Sequence, residues 1–364
     1  MILTIVAGAR PNFMKIAPII EAIQHKKQQG FDLNYRLVHT GQHYDKSLSD
    51  TFFEELQIPF PDANLNVQSG SQAEQTAAIM IGFEKELQLH PCDLVMVVGD
   101  VTSTMACTIV AKKMGIKVAH VEAGIRSGDM QMPEEINRIV TDSLTDYFFT
   151  TSTYANANLK QLGHPEAFIF FVGNVMIDTF RRNESRLKQP FFWNDLKLTN
   201  KTYFVMTLHR PSNVDEAQQL SNLITKLIES SKNHPIIFPV HPRTKKMLEG
   251  LDLNFSNLHY VEPLGYLEFN YLVKNALAVL TDSGGITEET TVMNVPCMTL
   301  RNTTERPETC NIGTNILVGN DSKKIEDAFN LLFSGKWQNG KIPELWDGKA
   351  AERIVNHLVE IYQL

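Results

Sequence analysis

Polar and apolar positions alternate along the chain in two rhythms. Short apolar runs predict strands over 2–7, 33–39, 93–98, 117–121 and 147–150, and the run over 93–98 is unbroken, as befits a strand covered on both faces. Between them lie helical patterns. Over 14–29, Ile16, Ile19, Ile20 and Ile23 recur at i, i+3, i+4 and i+7, and further helices are predicted over 74–90, 103–115 and 134–145. A βαβ series of this kind predicts a parallel sheet with helices on both faces.

The rhythm weakens over 173–201, where residues 183–200 are polar and interrupted by Pro190-Phe191-Phe192-Trp193. It resumes with strands over 202–208, 235–240, 257–261, 277–281 and 296–300, separated by helices over 215–231, 243–249, 266–275 and 286–293. The expected fold is α/β, with two Rossmann-like, doubly wound domains facing a central cleft. Their expected extents are 1–172 and 173–349. A closing helix over 350–364, with Ile354, Leu358 and Ile361 at helical spacing, is expected to pack back on the N-terminal domain. In open parallel sheets ligands bind beyond the carboxyl ends of the strands, so the residues after each strand carry the functional information.

Composition narrows the class. The chain has 364 residues, 43% of them hydrophobic, and a formal net charge of −7. That balance argues against nucleic-acid binding by bulk charge, and a local anion site remains compatible with it. No apolar stretch is long enough for a transmembrane helix, and the first residues lack the basic segment of a signal peptide, so a cytoplasmic protein is expected. Cys92, Cys107, Cys297 and Cys310 form no C-x-x-C pair and have no neighbouring histidine spacing for zinc, so reduced thiols and no metal are expected.

The first strand is followed by Gly8-Ala9-Arg10-Pro11-Asn12-Phe13-Met14-Lys15, which matches neither a dinucleotide fingerprint nor a P-loop. Arg10, Lys15 and the backbone N–H groups of a helix start can still hold an anion; the same residues also fit a plain strand–helix turn. Carboxylates follow the next strands: Gly99-Asp100, then Glu122, then the pair in Pro133-Glu134-Glu135-Ile136-Asn137-Arg138. Singly, each fits a helix cap or dipole partner; together they suit acid–base chemistry, because crowded carboxylates raise one another's pKa.

In the second half, strands end in His209-Arg210 and in His241-Pro242-Arg243, and a histidine beside an arginine suits acid–base work or phosphate contact. The strand over 277–281 runs into Asp282-Ser283-Gly284-Gly285, a turn whose N–H groups and serine hydroxyl can cradle a phosphate. A carboxylate one turn into the following helix can take a ribose diol. Arg301 and Arg306 follow the last strand. Together these motifs suggest a nucleoside-diphosphate site in the second domain and carboxylates in the first.

In this order the motifs resemble the non-hydrolysing UDP-N-acetylglucosamine 2-epimerase family. The resemblance spans nearly the whole chain: ARPxxxK near residue 10, VxGD near 97, HVEAGxR near 120, PEExNR near 133, HRxxN near 209, PxHPR near 239, SGGxxEE near 283 and TTERPE near 303. It implies a glycosyltransferase-B architecture and interconversion of UDP-GlcNAc and UDP-ManNAc. The implied route eliminates UDP to 2-acetamidoglucal and adds it back, with no cofactor. It also implies a homodimer, and a role in polysaccharide biosynthesis.

By position, the resemblance makes Asp100, Glu122 and Glu134 the acid–base carboxylates, with Lys15, Arg138 and His209 as further catalytic positions. Substrate contacts are implied at Arg10, Arg210, His241, Arg243, Phe269, Ser283, Gly284, Gly285, Glu289 and Arg306. There are departures. Asn12 stands where many members carry Glu, and Pro211 where many carry a second Arg. Of the site at which some members bind a second UDP-GlcNAc as activator, Gln42 and His43 remain. Tyr44 and Asp45 differ from the family pattern, and Gly70-Ser71-Gln72 lacks its Arg, which argues against such activation. Related alternatives are a 2-epimerase of a modified UDP-sugar such as UDP-2,3-diacetamido-glucuronate and the hydrolysing epimerase, whose first loop has no lysine at position 15. A glycosyltransferase or a non-catalytic sugar-nucleotide-binding protein on the same fold are less consistent with three carboxylates in the first domain.

Overall fold

Every strand pairing among the described residues is parallel. The computed structural model describes residues 1–41, 57–210, 213, 216–240, 248, 250, 251, 253 and 255–364, the Arg10 side chain excepted. By their contacts these divide into two units, Met1–Arg182 with Glu344–Leu364, and Asn183–Pro343.

Unit 1 holds seven strands: β1 (Ile2–Ala7), β2 (Asn34–His39), β3 (Ala63–Asn64), β4 (Leu94–Val98), β5 (Lys117–Val121), β6 (Tyr147–Thr150) and β7 (Ile169–Phe171). Their order is β3-β2-β1-β4-β5-β6-β7. The helices are α1 (Arg10–Gln28), α2 (Gln72–Leu89), α3 (Thr102–Lys113), α4 (Pro133–Leu144), α5 (Thr153–Gln161) and α6 (Val175–Asn183). The apolar stripe of α1 is buried as its spacing required: Ile16, Ile19, Ile20 and Ile23 are all sealed from solvent. Each such side chain stabilises the fold by about 1.5–3 kcal/mol through its burial. Pro18 interrupts the α1 hydrogen-bond ladder because it has no N–H for the Met14 carbonyl. That carbonyl instead accepts the Thr179 hydroxyl of α6 at 2.5 Å. This contact helps hold α6 in unit 1, so the unit runs ten residues beyond the expected boundary at 172.

Unit 2 repeats the winding with β8 (Phe204–Thr207), β9 (Ile236–Pro239), β10 (Leu258–Val261), β11 (Ala278–Thr281), β12 (Cys297–Thr299) and β13 (Asn315–Leu317). Their order is β10-β9-β8-β11-β12-β13. Its helices are α7 (Ala217–Ser230), α8 (Tyr266–Lys274), α9 (Gly284–Val292), α10 (Pro307–Asn311) and α11 (Ser322–Phe333). Period-2 alternation sorts the strand residues. Phe204, Met206, Phe238 and Leu280 pack with Leu220 and Ile224 of α7 and Phe329 of α11. Tyr203, Val205, Ile237 and Val279 face Leu272 and Val273 of α8. Phe192 and Trp193 join that second layer. The aromatic interruption in the polar stretch is therefore core of unit 2. β3, β7, β13, α5, α6, α10 and α11 had no counterpart in the expected elements: the three strands and α10 are short, whereas α11 buries Ile325, Ala328 and Phe329 at a helical spacing that the expected elements omitted, and of the helix expected over 243–249 only Leu248 lies among the described residues.

The chain returns to unit 1 for α12 (Ala350–Tyr362), whose Ile354, Val355 and Leu358 are buried. Trp346 donates to the Thr151 carbonyl at 3.0 Å, and Asp178 accepts the first N–H groups of α12, from Ala350 at 3.1 Å and Ala351 at 2.7 Å. Burial pushes the Asp178 carboxyl up to about 6, with Asp347 adding to the effect and the two N–H groups opposing it. No helix among the described residues is long and apolar enough to cross a membrane.

Because the folded-state pKa of Asp178 is raised, the folded chain binds this proton more tightly than the unfolded chain, and its contribution to stability falls as pH rises through about 6. Urea denaturation of the wild type and Asp178→Asn should therefore show the wild type gaining roughly 1 kcal/mol relative to the variant between pH 7 and pH 5. A gap that stays flat or shrinks over that range means the carboxyl is ionised throughout in the folded chain.

Candidate active site

The strand order of unit 1 reverses between β1 and β4, so the connections leaving these strands go to opposite faces and open a space beyond their carboxyl ends. Asn12 ties the two ends together. Its Oδ1 accepts the N–H groups of Gly8 and Ala9 at 3.1 and 2.9 Å, and its Nδ2 donates to the Val98 carbonyl at 2.9 Å. A glutamate there would lack the donor for Val98, which gives the departure at this position a local structural role.

Gly99 follows β4 with φ +70°, and a Cβ on it would lie 3.1 Å from Lys15 Nζ, 3.3 Å from Asn12 Nδ2 and 3.5 Å from Glu122 Oε2. The conformation and the crowding both favour glycine. Lys15, one turn into α1, pairs with Glu122 at 2.5 Å, and both are largely buried. Glu122 has φ +71°, a strained left-handed conformation for a residue with a Cβ. Its backbone N–H is secured by the Phe149 carbonyl at 3.0 Å.

The Pro133–Arg138 motif divides its labour by helical position. Arg138, 2% exposed, donates to Asp100 at 2.5 Å and to Glu135 at 2.6 Å. Asn137 donates to the Asp100 carbonyl at 2.8 Å. Glu135 also accepts the N–H groups of Ser127 and Gly128, each at 3.0 Å, and so anchors the loop before α4. Burial pushes the Glu135 carboxyl up, but Ser127, Arg138 and Gly128 outweigh this and hold it below the usual range. Glu134 is partly exposed on the first turn. The structure thus brings Asp100, Glu122, Lys15 and Arg138 around the Gly99 turn, with Glu134 one helical turn ahead of Arg138.

Behind this turn lies a buried set with no counterpart among the expected site residues. His120 Nε2 donates to the Gly99 carbonyl at 2.8 Å, and its Nδ1 meets Asp142 at 2.7 Å. Asp142 also pairs with Arg126 at 2.6 Å and accepts the Gly124 N–H at 3.0 Å. Desolvation raises the Asp142 carboxyl; His120 and Arg126 outweigh it and hold the group below its usual value. His120 and Arg126 lie inside the HVEAGxR motif, but their partner Asp142 lies a helix away in sequence.

In unit 2 the order reverses between β8 and β11. His209 and Arg210 leave β8 beside Asp282, which leaves β11. Asp282 is fully buried, lies 2.6 Å from the His209 imidazole Nδ1, and accepts the N–H groups of His209 and Arg210 at 3.0 and 2.9 Å and the Asn213 amide at 3.0 Å. Desolvation pushes this carboxyl up, and the His209, Arg210 and Asn213 contacts more than offset it, so it sits below the ordinary aspartate range.

Next to it, α9 opens with Ser283, Gly284 and Gly285. Ser283 makes no capping bond to the helix, and no acidic residue occupies the first turn, so its N–H groups point to a site suited to an anion. A Cβ at Gly284 would meet Glu305 at 2.6 Å. Further along α9, Glu289 accepts the Tyr266 hydroxyl at 2.8 Å. Burial pushes Glu289 up to about 7, the Tyr266 hydrogen bond opposing and Glu288 reinforcing the shift. Arg306 is buried, and its Nε donates to Glu288 of α9. Phe269, half-buried on α8, packs against the second core layer. His241, Arg243, Gln42, His43 and the Arg10 side chain lie outside the described residues. Among the described residues no cluster of three His, Cys, Asp or Glu side chains forms a metal site.

Comparison with known proteins agrees with this geometry. A UDP-N-acetylglucosamine 2-epimerase of Methanocaldococcus jannaschii is 42% identical, over 98% of this chain and 99% of that protein. A UDP-2,3-diacetamido-2,3-dideoxy-D-glucuronate 2-epimerase of Pseudomonas aeruginosa is 36% identical, over 99% of each. The crystal structure of the Methanocaldococcus jannaschii UDP-GlcNAc 2-epimerase in complex with UDP-GlcNAc and UDP superposes with a TM-score of 0.87 at 40% identity, covering 99% of this chain and 100% of that one. The two parallel-sheet units are those of the glycosyltransferase-B-like fold. The sequence profile described as UDP-N-acetylglucosamine 2-epimerase matches residues 24–359, and the chain belongs to this family.

Proposed function

We propose that this chain is an isomerase that interconverts UDP-GlcNAc and UDP-ManNAc by reversible loss of UDP. The observation that carries this reading is the Gly99 turn of unit 1, where Asp100 and Glu122 are each paired with a cation, Arg138 and Lys15. Such pairs place carboxylates for proton transfer at a sugar carbon.

The reaction needs no net redox change. One carboxylate takes the C2 proton, the C2–H electrons form the C1=C2 bond, and the C1–O bond breaks with its electrons leaving on UDP. The product held in the site is 2-acetamidoglucal. In return, a UDP oxygen attacks C1 while an acidic group delivers a proton to the opposite face of C2. The proton at C2 is weakly acidic, so stabilising the departing diphosphate must lower the barrier. His209, Arg210 and the N–H groups of Ser283, Gly284 and Gly285 are the residues suited to that charge, and Glu289 suits the ribose hydroxyls. Glu134, partly exposed at the start of α4, completes the acid–base set. The homodimer and cytoplasmic setting expected of the family belong to the same reading.

Incubation with UDP-GlcNAc in deuterated water, followed by NMR, tests the proposal. UDP-ManNAc carrying deuterium at C2 is the expected product. Free ManNAc would reveal a hydrolase, and turnover only of the 2,3-diacetamido-glucuronate sugar would move the assignment to the chemistry of the Pseudomonas relative. Glu122→Gln should retain UDP binding by calorimetry and lose at least about 100-fold in turnover, the usual size of an acid–base contribution. Near-normal turnover removes Glu122 from the proton transfer.

A further inference from the structure

We propose that Asp282 is the positioning residue that fixes the orientation and tautomer of His209, so that Nε2 is the atom His209 presents to the leaving diphosphate. This assignment deepens the function proposed above and rests on it for the identity of the ligand.

The geometry follows from strand register. β11 pairs with β8 so that Thr281 lies opposite Thr207, and their hydroxyls meet at 2.6 Å. One residue further on, Asp282 comes alongside the backbone of His209 and Arg210. Its carboxylate is sealed from solvent, whereas the His209 side chain is 57% exposed. A carboxylate held in its ionised form accepts hydrogen bonds and cannot donate them. The imidazole Nδ1, 2.6 Å away, must therefore carry the proton between them. Nε2 is the ring nitrogen on the side away from that carboxylate.

The same carboxylate also holds the backbone under the ring. It accepts the N–H groups of residues 209 and 210 and the Asn213 amide, while Asn213 reaches on to the Leu300 carbonyl at 3.1 Å beyond β12. The ring and the peptide that carries it are thus referenced to one buried group. A fixed ring with a charged carboxylate behind it can hold a proton on Nε2 against a phosphate oxygen, because the imidazolium then has its counter-charge in place. This division of labour between an exposed imidazole and a buried carboxylate makes the histidine directional.

Two measurements decide the assignment. Long-range proton–nitrogen NMR of histidine-labelled wild-type protein, with the His209 signal identified by its absence in His209→Asn, should show Nδ1 protonated at pH 8. A bare Nδ1 with the proton on Nε2 overturns the proposal. Steady-state kinetics of Asp282→Asn should show kcat reduced by about 100-fold or more, with KM for UDP-GlcNAc within about threefold of wild type. A kcat within threefold of wild type also overturns it, as does a variant that folds and keeps the wild-type His209 tautomer. If Asp282→Asn fails to fold, the wild-type spectrum still decides. Should the wild type show the expected tautomer and yet leave UDP-GlcNAc unchanged, the substrate assignment fails and the role of Asp282 stands.

Discussion

Two strand pairings govern the chemistry of this chain: β1 with β4 in unit 1, and β8 with β11 in unit 2. At each pairing the winding reverses, and the connections diverge beyond the strand ends. Parallel pairing brings residues far apart in sequence to the same level. Asn12 therefore reaches Val98, and Asp282 reaches His209. Without these registers the polar groups would be scattered among unrelated loops, and the buried carboxylates would lack the donors that make their burial tolerable.

The carboxylates fall into two kinds. Glu135, Asp142 and Asp282 are buried and saturated with donors, and burial alone would raise each of them, but their partners win and keep them ionised. They act as internal anchors for loops and for the cations and histidines around them. Asp100 and Glu134 are partly exposed at the turn and the helix start, and Glu122, itself buried, joins that turn through its pair with Lys15. Glu289 is different again: desolvation dominates, and its carboxyl is displaced towards neutrality. Fold and function thus use one residue type in opposite ways, and the count of donors around each group decides which.

Much of this was legible in the sequence. The α1 isoleucine stripe, the unbroken β4 run and the motifs after the strands led to the doubly wound fold and to the residues around Gly99. Local periodicity could find these because each signal is confined to one element. What it could not find depends on distant pairing. Asp282 was readable as the start of a phosphate turn, but its link to His209 exists only once β8 and β11 lie side by side. The split between Glu134 and Glu135, adjacent in sequence, depends on which side of α4 faces the loop at 127–128. The Phe192 and Trp193 contribution to unit 2 was masked by polar neighbours, and the short β3, β7 and β13 carry too few residues to show a period.

The return of the chain to unit 1 after Pro343 has a consequence for folding. Unit 2 is one continuous segment, whereas unit 1 is completed only when α12 joins the residues that precede unit 2. Until α12 docks, Asp178 lacks the amide donors of Ala350 and Ala351, and the faces that will receive Trp346 and Ile354 stay wet. Unit 2 can therefore close from one unbroken stretch of chain, whereas unit 1 closes only when two stretches separated by the whole of unit 2 meet.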